Sequence, residues 1–278
     1  MKFGAAYIAS ALLLLTALGC QAETNAKPQR IVSLSLCTDQ ILLKLVEKER
    51  IAAITFLSVD PIYSFEWQTA QGLTTHTGLA ESIIPLKPDL IIGSKYSTGN
   101  VVPMMAQLGY PTTTFDSPTT LKEAETLARD IGKAVGEAER AEQLIKSMQA
   151  DIAKAKNMVA KLPPQLAISY GPNGYTAGKF TLKNEIFNVA GYRNLGAELG
   201  IDYYGNVSLE QLVISNPDVV VIDEDIPNQN SLAQSFVTHP VLKRLLGHNN
   251  LVSVPTSHWI CPGPLASKAI LTLAEQRQ

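Results

Sequence analysis

SPTTLKEAETLARDIGKAVGEAERAEQLIKSMQADIAKAKNMVAKL, Ser117 to Leu162, is the stretch whose reading decides the fold. Apolar residues recur at steps of three and four from Leu121 through Leu127, Ile131, Val135, Leu144, Ile145, Met148, Ile152 and Val159 to Leu162. That is the helical period, with one apolar and one charged face. Thr120-Leu121-Lys122-Glu123 has the capping-box pattern, and Pro118 suits a first turn. Pro163-Pro164 forbids continuation. Gly132 and Gly136 lie inside, so the pattern predicts two helices with a bend near Gly136. The second, Glu137 to Lys161, would be about 37 Å long. It starts acidic and ends basic, as the helix dipole favours. Such a helix is long enough to join two lobes, and equally to pack within one domain.

The flanks favour two lobes. Upstream, short apolar strands at Ile31–Leu34, Ile51–Phe56, Leu90–Ile92 and Thr112–Phe115 alternate with helices at Gln40–Glu47, Ser82–Leu86 and Val102–Leu108. Downstream, strands at Gln165–Ser169, Val219–Ile222 and Leu251–Val254 alternate with helices at Leu182–Ala190, Leu209–Val213, Pro240–Leu246 and Pro264–Ala274. Alternation of this kind argues for α/β architecture with parallel sheets covered on both faces. Lys87-Pro88-Asp89 before Leu-Ile-Ile and Asn216-Pro217-Asp218 before Val-Val-Val occupy equivalent places in the two halves. The expected organisation is a signal segment at 1–22, an N-terminal lobe at 29–117, a connecting helical segment at 118–162 and a C-terminal lobe at 165–278.

Residues 1–22 read as an export signal: Lys2 gives a positive start, Ala5 to Leu18 is apolar, and small residues follow. The run is too short for a spanning helix. Ala17-Leu18-Gly19-Cys20 resembles a lipobox with Ala where Leu is usual. On that reading the signal is 1–19 and Cys20 carries the lipid. Ordinary cleavage after Gly19 or Ala22 is the alternative. Either way the chain works outside the cytoplasmic membrane, in the periplasm. Cys37 and Cys261 remain, and they pair if their loops meet.

The 278 residues have 46% apolar and 17% charged content, a globular composition. A net charge of −2 gives no electrostatic case for nucleic acid or an anionic membrane. Gly174 to Lys179 fails as a phosphate loop, because three residues rather than four separate its glycines and Phe180 follows the lysine. No nucleophile elbow and no His-Glu-x-x-His motif is present. His76, His239, His248 and His258 are scattered.

A binding function is therefore the leading class, without catalytic residues or a resident cofactor. Ligands of open α/β sheets sit beyond the carboxyl ends of strands. Those loops are Ser35–Asp39, Ser58–Trp67, Ser94–Gly99, Gly171–Gly178, Asp202–Asn206 and Ser257–Pro262. They hold Tyr63, Phe65, Trp67, Tyr96, Tyr175, Tyr203, Tyr204 and Trp259, eight of the 18 aromatics. Aromatics with few charges suit a bulky ring-bearing ligand. Phe65 and Tyr203 are expected only to pack the loops.

These residues resemble a known family: the substrate-binding proteins of ABC importers for iron–siderophore complexes, haem and vitamin B12. The marks are Arg30-Ile31-Val32-Ser33-Leu34, the run Ala80 to Ile92, Gly174-Tyr175-Thr176-Ala177-Gly178, Val207 to Leu212 with Asn216-Pro217-Asp218, and Thr256-Ser257-His258-Trp259. The resemblance implies two Rossmann-like lobes joined by one long rigid α-helix, with the ligand cleft between them. It implies a monomer that captures a metal chelate containing Fe or Co and delivers it to a membrane permease with its ATPase. Glu81 and Glu210, each six residues before the start and eight before the aspartate of its Pro-Asp turn, match the family's lobe-tip glutamates that dock on permease arginines. The expected ligand set is Ser35, Thr38, Tyr63, Trp67, Ser94, Lys95, Tyr96, Tyr175, Lys179, Tyr204, His258 and Trp259. Ser94-Lys95 departs from the Trp-Arg of the B12 binder, so corrinoid and iron–siderophore stand close together, with haem behind. The competing readings are a free Zn or Mn binder, which needs about three converging His and a carboxylate, and an exported hydrolase or thiol enzyme using Cys37 or Cys261.

Overall fold

The computed structural model describes residues 26–96, 99–223 and 251–277. The chain begins with β1 (Ile31–Ser33), α1 (Leu36–Leu45), β2 (Ile51–Thr55), α2 (Trp67–Ala70) and β3 (Thr75–His76). It continues with α3 (Ala80–Ile83), β4 (Leu90–Ser94), α4 (Val101–Gln107) and β5 (Thr112–Phe115). The five strands form one parallel sheet in the order β3-β2-β1-β4-β5. Alternate residues feed opposite faces. Ile31, Leu90 and Ile92 enter one core cluster, whereas Val32 and Ile91 enter the other. Burial on both faces is why these strands read as continuous apolar runs.

Two long helices follow, α5 (Leu121–Val135) and α6 (Ala138–Val159). Thr120 caps α5 by accepting from the Glu123 N–H, but the reciprocal bond is shifted by one residue: the Glu123 carboxylate accepts from the Thr119 N–H at 2.8 Å. Gly136 takes φ +74° and its N–H donates back to the last turn of α5. The expected bend is in fact a reversal. Arg129 faces Glu142 at 2.7 Å, the Glu125 carboxylate accepts from Gln149 at 2.7 Å, and Gly132 faces Ala141, so α5 and α6 form an antiparallel hairpin. A Cβ on Gly132 would lie 2.5 Å from that of Ala141, so glycine permits the close approach. The buried Arg50 ties the corner, donating to Val135 O and pairing with Glu137.

Of the two long helices, α6 carries the chain from one lobe to the other. Its 22 residues span about 33 Å. Ala141 and Leu144 pack in the N-terminal core, and Ile152, Ala155 and Val159 in the C-terminal core.

The second lobe contains β6 (Gln165–Ser169), β7 (Tyr175–Ala177), α7 (Leu182–Val189), β8 (Tyr192–Asn194), α8 (Leu195–Glu198), β9 (Tyr204–Asn206), α9 (Leu209–Ser215), β10 (Val219–Asp223), β11 (Leu251–Val254), α10 (Thr256–Trp259) and α11 (Ser267–Glu275). Its parallel sheet has the order β11-β10-β6-β8, and β7 with β9 forms an antiparallel ribbon. The expected helix at 240–246, His239, His248 and the signal segment with Cys20 lie outside the described residues.

The Pro-Asp repeats have one physical purpose. Lys87 and Asn216 adopt left-handed backbone at φ +46° and +44°, turning the chain out of a helix. The aspartate that follows then holds the entry to the first strand of its own lobe. Asp89 accepts from the N–H groups of Gln29 and Arg30 at 2.7 and 2.8 Å, and Asp218 from that of Leu166 at 2.7 Å. Ser35–Asp39, expected as a ligand loop, is instead the first turn of α1 after its N-cap residue Ser35.

Candidate functional site

A cleft of about 560 Å³ opens between the lobes, within the range of small-molecule sites. Tyr96, Ser117, Pro118 and Thr119 line it from the N-terminal lobe. Tyr175, Phe180, Lys183, Tyr203, Tyr204, Asp223 and Trp259 line it from the C-terminal lobe. Most follow strand ends: β4 leads to Tyr96, β5 to Ser117, and β10 ends in Asp223. A smaller recess of about 100 Å³ continues inward past Ser169, Tyr170, Lys183, Asp223 and Trp259.

The glycine-rich segment builds the aromatic wall. A Cβ at Gly174 or Gly178 would stand 2.1 Å from the carbonyl oxygen of Val207 or Ile201. The bare backbone lets β7 and the following turn close on the β9 region, with the Gly178 N–H donating to Tyr203 O at 2.6 Å. The ribbon register pairs Tyr175 with Asn206 and Ala177 with Tyr204. The rings of Tyr175 and Tyr204 consequently stack 5.4 Å apart with 6° between their planes, and both stay about half exposed. Burial raises both phenol pKa values, and Tyr175 adds to the rise at Tyr204, so both hydroxyls remain protonated donors at neutral pH.

At the cleft floor the Trp259 indole Nε1–H donates to Asp223 Oδ1, which fixes the ring. Lys183, in the first turn of α7, puts its ammonium 3.8 Å from the centre of the Trp259 ring. Desolvation lowers the Lys183 pKa, and the Asp223 charge partly opposes the fall.

The structure gathers four of the expected ligand residues at this cleft: Tyr96, Tyr175, Tyr204 and Trp259. The others are placed elsewhere. Ser35 and Thr38 are buried, with Thr38 bonded to Ser33 and to the Ser35 carbonyl. Tyr63 lies just before α2 and Trp67 is its first residue; both are partly buried, and neither lines the cleft. Ser94 accepts from the Tyr96 N–H at 3.3 Å, and Lys95 pairs with Asp116 at 2.6 Å. Lys179 lies 5.1 Å from the Phe180 ring centre. His258 contacts Thr272 and the edge of Phe65. Phe65 packs as expected, but Tyr203 does not: it is 60% exposed, lines the cleft and tilts against Phe180 at 5.8 Å.

Lys183, Asp223 and the Ser117–Thr119 corner escaped the sequence reading. Each had a signal. Asp223 and Ser117 follow strand ends, and Thr181 is an N-cap residue directly after the glycine-rich segment, which places Lys183 in the first turn beside the ligand loops.

Cys37 and Cys261 form a disulfide between α1 and the loop after α10, with Cα atoms 5.0 Å apart. Neither sulfur is then a nucleophile, which removes the basis of the thiol-enzyme reading. Among the described residues no group of three or more His, Cys, Asp and Glu could hold a metal ion. His76 is engaged by Ser33 O and the Gly78 N–H.

Glu81 and Glu210 are exposed in the first turns of α3 and α9. Each is flanked by exposed apolar side chains, Leu79 and Ile84 in one lobe and Val213 and Ile214 in the other. No helix among the described residues is long and apolar enough to cross a membrane.

Comparison with known proteins gives one consistent family. A Bacillus subtilis (strain 168) relative, the uncharacterized ABC transporter substrate-binding lipoprotein YvrC, is 26% identical over 211 residues, covering 72% of this chain and 65% of that protein's length. A Staphylococcus epidermidis structure, described as a possible iron-binding (periplasmic solute-binding) protein, superposes with a TM-score of 0.74 at 21% identity, over 90% of this chain and 98% of that one. The periplasmic heme-binding protein RhuT from Roseiflexus sp. RS-1, in apo form, gives 0.73 at 20% identity over 90% and 99%. These two likenesses are of fold. The periplasmic binding protein family model matches residues 31–246, and the chain belongs to that family.

Proposed function

We propose that this chain is the extracytoplasmic substrate-binding component of an ABC importer, and that it carries a metal chelate with a flat organic ring system to a permease. The observation that carries the reading is the stacked, half-exposed Tyr175–Tyr204 pair facing Tyr96 across a cleft floored by Trp259. Aromatic faces, with no metal-ligand cluster among the described residues, suit a metal already wrapped in an organic ligand rather than a bare ion. The chelate, with its Fe or Co, is cargo and not a resident cofactor.

The single connecting helix and the inter-lobe disulfide both restrain hinge opening. Recognition therefore relies on a largely pre-formed cleft. Glu81 and Glu210, with their apolar neighbours, form the permease-docking face at the two lobe tips. The protein works as a monomer, exported to the periplasm and held at the membrane by its permease and a lipid on Cys20.

Equilibrium dialysis of the purified mature protein against haemin, cyanocobalamin and a ferric trihydroxamate tests the proposal through bound iron or cobalt. One metal per chain, saturably retained, is expected for haemin or cyanocobalamin; retention of the ring-free trihydroxamate alone would keep the carrier function and remove the flat ring system. Retention of free Zn²⁺ or Mn²⁺ but of none of the chelates would replace the proposal with the metal-ion reading.

A further inference from the structure

The charges within the cleft are few and specific. Among the described residues, Lys183 and Asp223 are the two charged side chains that line it. Asp223 accepts the Trp259 indole N–H at Oδ1, and its charge only partly offsets the desolvation of Lys183. Lys183 has no carboxylate within ion-pair distance among the described residues, and its contact is the face of the Trp259 ring at 3.8 Å. The ring face offers partial negative charge but no acceptor atom for the three N–H groups of the ammonium.

The position of that ammonium is constrained. It rises from the first turn of α7, whose N-cap residue Thr181 accepts from the Asn184 N–H. It lines both the main cleft and the inner recess. A ring lying along Tyr175 and Tyr204 would point one edge at this floor. Trp259 orients the ammonium, and Asp223 orients Trp259.

We infer that Lys183 is the anion anchor of the cleft, and that the cargo is a chelate carrying an acidic group, carboxylate or catecholate class, at the edge of a conjugated ring. The inference rests on the chelate-carrier reading and narrows it: neutral chelates are excluded as preferred ligands. An anion at this point would complete a charge-assisted hydrogen bond in a partly desolvated site, where such bonds are strong. The lowered proton affinity of Lys183 accords with this environment, and binding of an anion would raise it again.

The test compares haemin, a ferric tricatecholate, cyanocobalamin and a neutral ferric trihydroxamate on the wild-type protein and on Lys183→Met and Lys183→Arg variants. Thermal melts confirm that the variants fold. The expected result is tighter binding of an acidic chelate than of either neutral one. Affinity should fall by about tenfold or more in Lys183→Met, recover largely in Lys183→Arg, and weaken with added salt. Preference for a neutral chelate, or an acidic chelate bound equally well by wild type and Lys183→Met, would overturn the inference and leave the carrier function standing. Failure of all four chelates to bind would remove the carrier reading and the inference together.

Discussion

Cys37 and Cys261 are joined across 224 residues of sequence, and their bond ties the first turn of α1 to the segment that follows α10. The bridge crosses from one lobe to the other, so α6 is not the only covalent restraint between them. Reduction, or replacement of both cysteines by serine, should lower stability by roughly 2–5 kcal/mol, because the closed loop is long. Urea unfolding with and without reductant measures it. Equal midpoints would mean that the bridge contributes nothing to stability.

Asp39 gives the fold an unusual pH response. It is buried in α1, where its Oδ2 accepts from the Thr55 N–H and from the Thr55 and Ser58 hydroxyls. Desolvation nonetheless dominates these bonds and pushes its pKa up to about 7. The folded value lies above the unfolded one, so the folded chain binds the extra proton between about pH 4 and 7. Its contribution is full below that window and lost as pH rises through it, by an amount on the order of a few kcal/mol. Wild type minus Asp39→Asn stability, followed by unfolding at pH 5 and pH 8, should decrease toward pH 8. A flat difference would show that Asp39 stays ionised throughout.

Gly132 should tolerate no side chain. Gly132→Val places a branched group where even a Cβ comes within 2.5 Å of Ala141. The α5–α6 hairpin would have to part, at a cost of about 1–3 kcal/mol. A companion Gly109→Ala variant has space around its Cβ but a φ of +85°, and it separates backbone strain from packing. Comparable losses at the two positions would count against close packing at Gly132.

The docking face makes a prediction about transport alone. Reversing both charges, Glu81→Arg with Glu210→Arg, should abolish uptake in cells while leaving the purified protein's ligand affinity unchanged. Both acids are exposed, and neither lines the cleft. Loss of affinity in the double variant would assign them to binding instead.

Much of this architecture is legible in the chain because it is local. Apolar runs such as Leu90-Ile91-Ile92 are strands buried on both faces, and Pro-Asp turns cap each lobe's first strand. The hairpin at Gly136 was not legible, since a glycine in a helical pattern marks an interruption without its angle. The ribbon of β7 and β9 was missed because its strands lie 26 residues or more apart and only their pairing defines them. The site was legible where aromatics sit in loops after strands, as at Tyr96, Tyr175 and Tyr204. It was not legible at Ser35 and Thr38, where α1 begins one residue after Ser35 and turns a supposed loop inward. Lys183 was hidden because its role depends on Trp259, 76 residues away and brought over it by tertiary packing.

The chain's two tryptophans offer the most direct test that the inter-lobe cleft holds the cargo. Trp259 lines the cleft and Trp67 does not. Fluorescence of the wild type, Trp67→Phe and Trp259→Phe would be titrated with haemin and with the other chelates. The account predicts saturable quenching at one site per chain that survives Trp67→Phe and is largely lost in Trp259→Phe. Quenching that persists without Trp259 and disappears without Trp67 would place the ligand elsewhere and contradict the account.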